Sequence, residues 1–135
     1  GLGHFAGMVA TGAAIDYLSN LDMNQVKVHE IKLNRIMSKT VSGLSGVDII
    51  GPEDAGQRGG ICSILMNDLP AHDIALLLDE AAGVMVRSGQ HCVHSWFNNR
   101  GHENGSLRAS AYFYNTEEEV KLFADTFEEA VQAFS

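Results

Sequence analysis

Two short blocks hold the residues best suited to chemistry. R-S-G-Q-H-C runs from Arg87 to Cys92, and R-A-S-A-Y-F-Y-N-T-E-E-E begins at Arg108. A thiolate is the nucleophilic form of cysteine, and neighbouring cations lower a thiol pKa below its free value of about 8.5. Arg87, His91 and His94 are close enough in sequence to Cys92 to supply such charge. Between Gly89 and Gly105 the chain also gathers Trp96, Arg100 and His102, and hydrophobic periodicity stops. Three readings fit this segment: an ordinary loop, an activated nucleophile, or a zinc site built from His91, Cys92, His94 and His102. The metal reading is the weakest, because adjacent His and Cys ligate awkwardly and no C-x-x-C partner exists. Arg108 poses a parallel choice. It is either a solvated or salt-bridged strand residue, or a rigidly held guanidinium suited to bidentate carboxylate capture.

These side chains need a scaffold, and the hydrophobic pattern supplies one. Small residues from Phe5 to Leu21 predict a helix that packs close to a neighbour. Asp22 or Asn24 can cap a second helix of about twenty residues, ending near Gly43 or Gly46, with Val26, Leu33, Ile36, Met37 and Val41 as its apolar stripe. Short strands are expected over 47–50, 60–66, 84–87 and 107–114. Residues 53–59 read as a polar loop, and the segment between Ser88 and Ser106 as a longer one. Pro70 opens a helix that Gly83 stops, and Thr116 with Glu119 forms a capping box for a last helix lined by Val120, Phe123, Phe127 and Val131. In 107–114 one face is apolar and the other carries Arg108. The expected fold class is α+β: a small antiparallel or mixed sheet with helices on one face, preceded by a long connecting helix.

Composition narrows the partners. A chain of 135 residues is long enough for one ordinary core. The net charge of −8, with nine Lys and Arg scattered along the chain, argues against nucleic acid. No apolar run approaches the roughly 18 residues of a membrane span, and the opening GLGHFAGMVATGAA lacks the basic start of a secretory signal. The expectation is a soluble cytoplasmic protein in which Cys62 and Cys92 stay free thiols. The missing initial Met suggests a piece of a longer chain.

The two blocks together, R-S-G-Q-H-C at 87–92 and L-R-A-S-A-Y-F-Y-N-T-E-E-E-V at 107–120, resemble the C-terminal signature of the Suf-type cysteine desulfurases. These are enzymes of the class V aminotransferase group that depend on pyridoxal phosphate (PLP). GHFAGMVATGAAIDYLSNL resembles the helix closing that family's large domain, and L-L-L-D-E-A-A-G-V-M-V its approach to the cysteine loop, so the likeness covers nearly the whole chain. It implies the C-terminal domain of a fold-type-I PLP transferase: residues 1–21 as the tail of the large domain, 22–46 as the connecting helix and 47–135 as the small domain.

By the same resemblance Cys92 is the nucleophile that takes sulfur from L-cysteine, becoming a persulfide while alanine is released. His91 assists the thiolate, Arg108 grips the substrate carboxylate and Arg87 helps organise the site. PLP, a homodimer and a sulfur-acceptor protein follow from the family, with iron-sulfur cluster assembly as a destination for the sulfur. No metal is implied. The cofactor-binding residues stay unknown, because none of Lys27, Lys32, Lys39 and Lys121 stands in a Schiff-base motif, so the chain alone should be inactive. The chain departs from the family at Gln90, where a second histidine is common, at Val93-His94-Ser95-Trp96 after the cysteine, and at Gly1-Leu2, where Gly-Thr is common. Two further readings are a selenocysteine lyase on the same scaffold and a non-enzymatic sulfur-relay or interaction domain.

Overall fold

The computed structural model describes residues 1–134. Its first helix, α1 (Phe5–Ser19), buries none of its side chains, and Phe5, Val9, Ile15 and Tyr17 are exposed. The close packing expected of its small residues is not made within this chain. The Asp22 carboxylate accepts from the main-chain N–H of Asn24 at 2.9 Å and Gln25 at 3.4 Å, and this cap starts α2 (Met23–Val41).

Four short strands follow among the described residues: β1 (Val47–Ile49), β2 (Ile61–Met66), β3 (Arg87–Gly89) and β4 (Ser106–Ser110). They pair in the order β1-β2-β4-β3, antiparallel throughout. Helices α3 (Ala71–Ala82) and α5 (Glu117–Ala133) join α2 on one face. Alternation along the strands turns Cys62, Ile64, Met66, Leu107 and Ala109 towards those helices, where Leu33, Met37, Ile74, Leu78, Phe123 and Phe127 meet them. Each such Leu, Ile, Met or Phe side chain, fully buried, stabilises the fold by about 1.5–3 kcal/mol. The fold is therefore α+β, with one small antiparallel sheet and these three helices on a single side. Among the described residues no helix is long and apolar enough to cross a membrane.

The sheet's other face carries the arginines. Arg108 is opposite Ser63 on one side and Arg87 on the other, and cross-strand partners point the same way.

Three local details differ from the sequence expectation. The strand expected at 84–87 is formed by Arg87–Gly89, which pair with Arg108, Leu107 and Ser106 of β4. The strand expected to reach Tyr114 stops at Ser110; the Asn115 side chain accepts from the Tyr112 N–H at 2.9 Å and turns the chain into α5, whose Thr116–Glu119 capping box is formed. The loop before β2 is a polar knot containing a short 3-10 turn, Ala55–Gln57. There the buried Asn34 amide donates to the Gly59 and Ile61 carbonyls at 2.5 and 2.9 Å, and Arg58 donates to the Pro52 carbonyl and to Ser38. Gly60 closes this knot against the Ala111 carbonyl, where a Cβ would have no room.

Candidate active site

The face of the sheet away from α2, α3 and α5 forms the floor of a pocket of about 330 Å³, at the small end of the range for ligand sites. Ser63, Ser106 and Arg108 come from the strands, and His91 reaches in from the loop after β3. Ile50, Val93, Trp96 and Phe97 supply an apolar wall. Val93 precedes, and Trp96 and Phe97 belong to, a short helix, α4 (His94–Asn98), which forms inside the segment expected to be irregular. Buried Phe97 plugs that helix into the fold. Trp96 packs edge-on against Phe97 at 4.9 Å between centroids, and the Arg100 guanidinium covers its ring at 4.3 Å.

The electrostatics of the floor are one-sided. Arg87 and Arg108 are directly opposed, an arrangement that is unfavourable for like charges. Among the described residues neither has a carboxylate within ion-pair distance, since the ion pair formed, Lys32–Glu117 at 2.6 Å, lies on the helical side. Arg108 Nε, Ser106 Oγ and both ring nitrogens of His91 are buried without a hydrogen-bond partner. Burial, then the positive charges of Arg108 and Arg87, hold the His91 pKa below its ordinary value, against a smaller opposing pull from the Ser106 main chain. The ring is neutral at neutral pH. The unfolded chain takes up a proton near pH ~6.5, before the folded ring does, so this group contributes stability that declines as pH falls below that value. Unmatched donors around two guanidiniums favour a small anion, and a carboxylate fits a planar guanidinium best.

Cys92 stands beside this floor on a tight turn. The Val93 N–H donates to the Gln90 carbonyl at 2.8 Å, and the two residues between them, His91 (φ 48°) and Cys92 (φ 63°), are both left-handed. Side chains with a Cβ rarely take that conformation, and two in succession are rarer. The turn sends His91 into the pocket and leaves Cys92 exposed to solvent. His91, Arg87 and Arg108 are thus brought together with Cys92 at the rim. His94 and His102 are not gathered with them as ligands: among the described residues no group of three His, Cys, Asp or Glu could hold a metal. The pocket wall from Ile50 and the backbone of the His91–Cys92 turn were not foreseen. Ile50 arrives through pairing with a distant strand, and no composition signal marks a left-handed histidine.

The two thiols have opposite surroundings. Cys62 is fully buried and free, and burial raises its pKa to about 11 despite the opposing Arg58 charge and Ser38 hydroxyl. Iodoacetamide at mildly alkaline pH is expected to alkylate Cys92 in the native protein and spare Cys62 until denaturant is added. Peptide mapping by mass spectrometry reads the result, and equal labelling of both cysteines would contradict these environments.

A family model described as Aminotransferase class-V matches residues 1–123. A probable cysteine desulfurase of Methanothermobacter thermautotrophicus is 38% identical over 128 residues, covering 93% of this chain and 32% of the relative. A cysteine desulfurase of Haloferax volcanii is 34% identical, covering 94% and 29%. Among solved structures, the apo cysteine desulfurase of Thermococcus onnurineus NA1 superposes with a TM-score of 0.86 at 32% identity, over 98% of this chain and 32% of that one. The chain thus spans about a third of the length of the relatives it matches.

Proposed function

The chain belongs to the aminotransferase class-V family, and from that membership we propose that it forms the sulfur-accepting part of a PLP-dependent cysteine desulfurase. The observation that carries this reading is Arg108 on the floor of a small pocket, with no carboxylate partner among the described residues, beside an exposed cysteine and opposite a second acid-free arginine, Arg87, on the neighbouring strand. Arg108, held on a strand, binds the α-carboxylate of L-cysteine, and Arg87 adds a second positive charge to the same anion. Neutral His91, which shares the pocket with Arg108, takes the proton that Cys92 gives up.

The Cys92 thiolate then attacks the substrate sulfur. A new S–S bond forms as the carbon–sulfur bond breaks; the electron pair stays with the carbon, which gains a proton and leaves as L-alanine. The carbon is reduced, the transferred sulfur is oxidised, and Cys92 holds it as a persulfide. Such a cleavage needs an electron sink, which PLP supplies when bound. The residues of this chain do not make a PLP site by themselves. Lys27, Lys32 and Lys39 lie on α2 and Lys121 on α5, and no lysine lines the pocket among the described residues. In this reading the chain alone is inactive, and residues such as the remaining two-thirds of its relatives hold the cofactor.

Exposure of Cys92 lets a thiol of an acceptor protein reach the persulfide, and the two free thiols suit a reducing cytoplasm. A homodimer rests on family membership. The test is to incubate the protein, at the full length of its relatives and loaded with PLP, with L-cysteine. Alanine should appear in step with one added sulfur on the Cys92 peptide by mass spectrometry. Alanine without sulfur on Cys92 removes its role, and no alanine removes the activity.

A further inference from the structure

The turn that presents Cys92 does not hold itself. Its two central residues are left-handed without being glycine, and α4, which follows it, has little more than one turn of its own. The residue that opens the turn, Gln90, supplies what is missing. Its side-chain amide donates to Asn98 Oδ1 at 2.9 Å and to the Glu103 carbonyl at 2.7 Å, so one group reaches the end of α4 and the returning limb of the loop together. Its carbonyl closes the turn by accepting from Val93. The limb it grips is itself folded, because the His102 N–H donates to the Phe97 carbonyl at 3.0 Å and the Gly105 N–H to the His102 carbonyl at 2.9 Å. Where this limb leaves the loop, Gly105 (φ 78°) is pressed against the Gly89 carbonyl group and the Gln90 nitrogen so closely that no Cβ fits. The neck is therefore fixed by a glycine–glycine contact, and just beyond it the Gln90 amide braces the loop across its width.

Resting on the desulfurase reading above, we propose that Gln90 is a positioning residue for Cys92: its two side-chain hydrogen bonds hold the His91–Cys92 turn in the left-handed conformation that places the thiol at the rim of the Arg108 pocket. Gln90 does not line that pocket. It acts on where the sulfur acceptor stands and leaves substrate binding to the strand. A nucleophile misplaced by about 1 Å costs on the order of 10²-fold in rate, so loosening the brace should reach kcat before KM.

The test uses the PLP-loaded protein at the full length of its relatives, with Gln90→Met, which keeps the volume and removes both donors, and Asn98→Ala, which removes one acceptor from an exposed position. Gln90→Met should lower kcat for L-cysteine by about 10–100-fold while KM stays within roughly 2-fold, since the arginine strand is untouched. Asn98→Ala should show a smaller loss of the same kind. Hydrogen exchange should quicken in peptides from 90–105 and remain unchanged in β2 and β4. Wild-type kcat in Gln90→Met overturns the proposal, as does a rise in KM that accounts for the whole loss. Faster exchange throughout the sheet in both variants also overturns it, because the residue then serves the fold as a whole. Failure of the wild-type protein to place sulfur on Cys92 would instead remove the desulfurase reading, and the exchange pattern would still report whether Gln90 braces the loop.

Discussion

Replacing Cys92 with alanine is expected to lower turnover of L-cysteine by at least about 10³-fold, with little change in KM. The expectation follows from the division of labour between rim and floor. The groups proposed to hold the carboxylate, Arg108 and Arg87, are on strands paired through the main chain, and the Cys92 side chain takes no part in that pairing. Removing the thiol therefore leaves a bound amino acid with no sulfur acceptor. Cys62 cannot take over, because it points into the helical side of the sheet and burial keeps its thiol protonated, with a pKa of about 11. Steady-state release of alanine from L-cysteine measures the effect. A Cys92→Ala protein that still turns over at the normal rate would show that the sulfur leaves by a route that does not need this residue.

Arg108→Ala should reduce kcat/KM by about 30- to 5,000-fold, the range for truncating one partner of a desolvated charged pair, on the order of 2–5 kcal/mol. The substrate carboxylate would lose its main partner, and Arg87 opposite is more exposed and cannot close the same fork. Arg108→Lys keeps the charge but not the planar pair of donors, so a loss of about 10-fold or more should remain. Folding offers a useful contrast. Two guanidiniums opposite each other oppose sheet formation, so Arg108→Ala should leave thermal stability unchanged or raise it slightly. An activity loss accompanied by a fall in Tm would point to a structural role for Arg108.

The sequence was most legible where one face of an element is buried. Leu107, Ala109 and Phe113 alternating with Arg108, Ser110 and Tyr112 put the arginine on the face opposite the apolar one, and Thr116 with Glu119 located the start of α5. Legibility faded where the backbone answers to contacts distant in sequence. The third strand formed at Arg87–Gly89, where it pairs with a β4 some twenty residues on in the chain, and the 53–59 loop is tied down by Asn34 from α2 and by its own Arg58, which donates to the Pro52 carbonyl. Cys92 and Arg108 were recognisable as residue types. What joins them was not: Gln90 had been notable only as a departure from the related pattern, and its reach to Asn98 and Glu103 depends on a folded loop. Ile50 and Trp96 entered the pocket in the same way, through tertiary packing that no local period encodes.

The left-handed pair at His91 and Cys92 also sets what selection for heat resistance would do to this molecule. Glycine at either position would adopt the same φ without steric penalty, a gain on the order of 1 kcal/mol. A screen that scores only survival at high temperature would thus drift towards erasing the two side chains proposed to face the substrate. Durability and the proposed sulfur chemistry compete for the same residues, so a hardened version of this domain should be sought at α2, α5 and the sheet, with the turn excluded from the library.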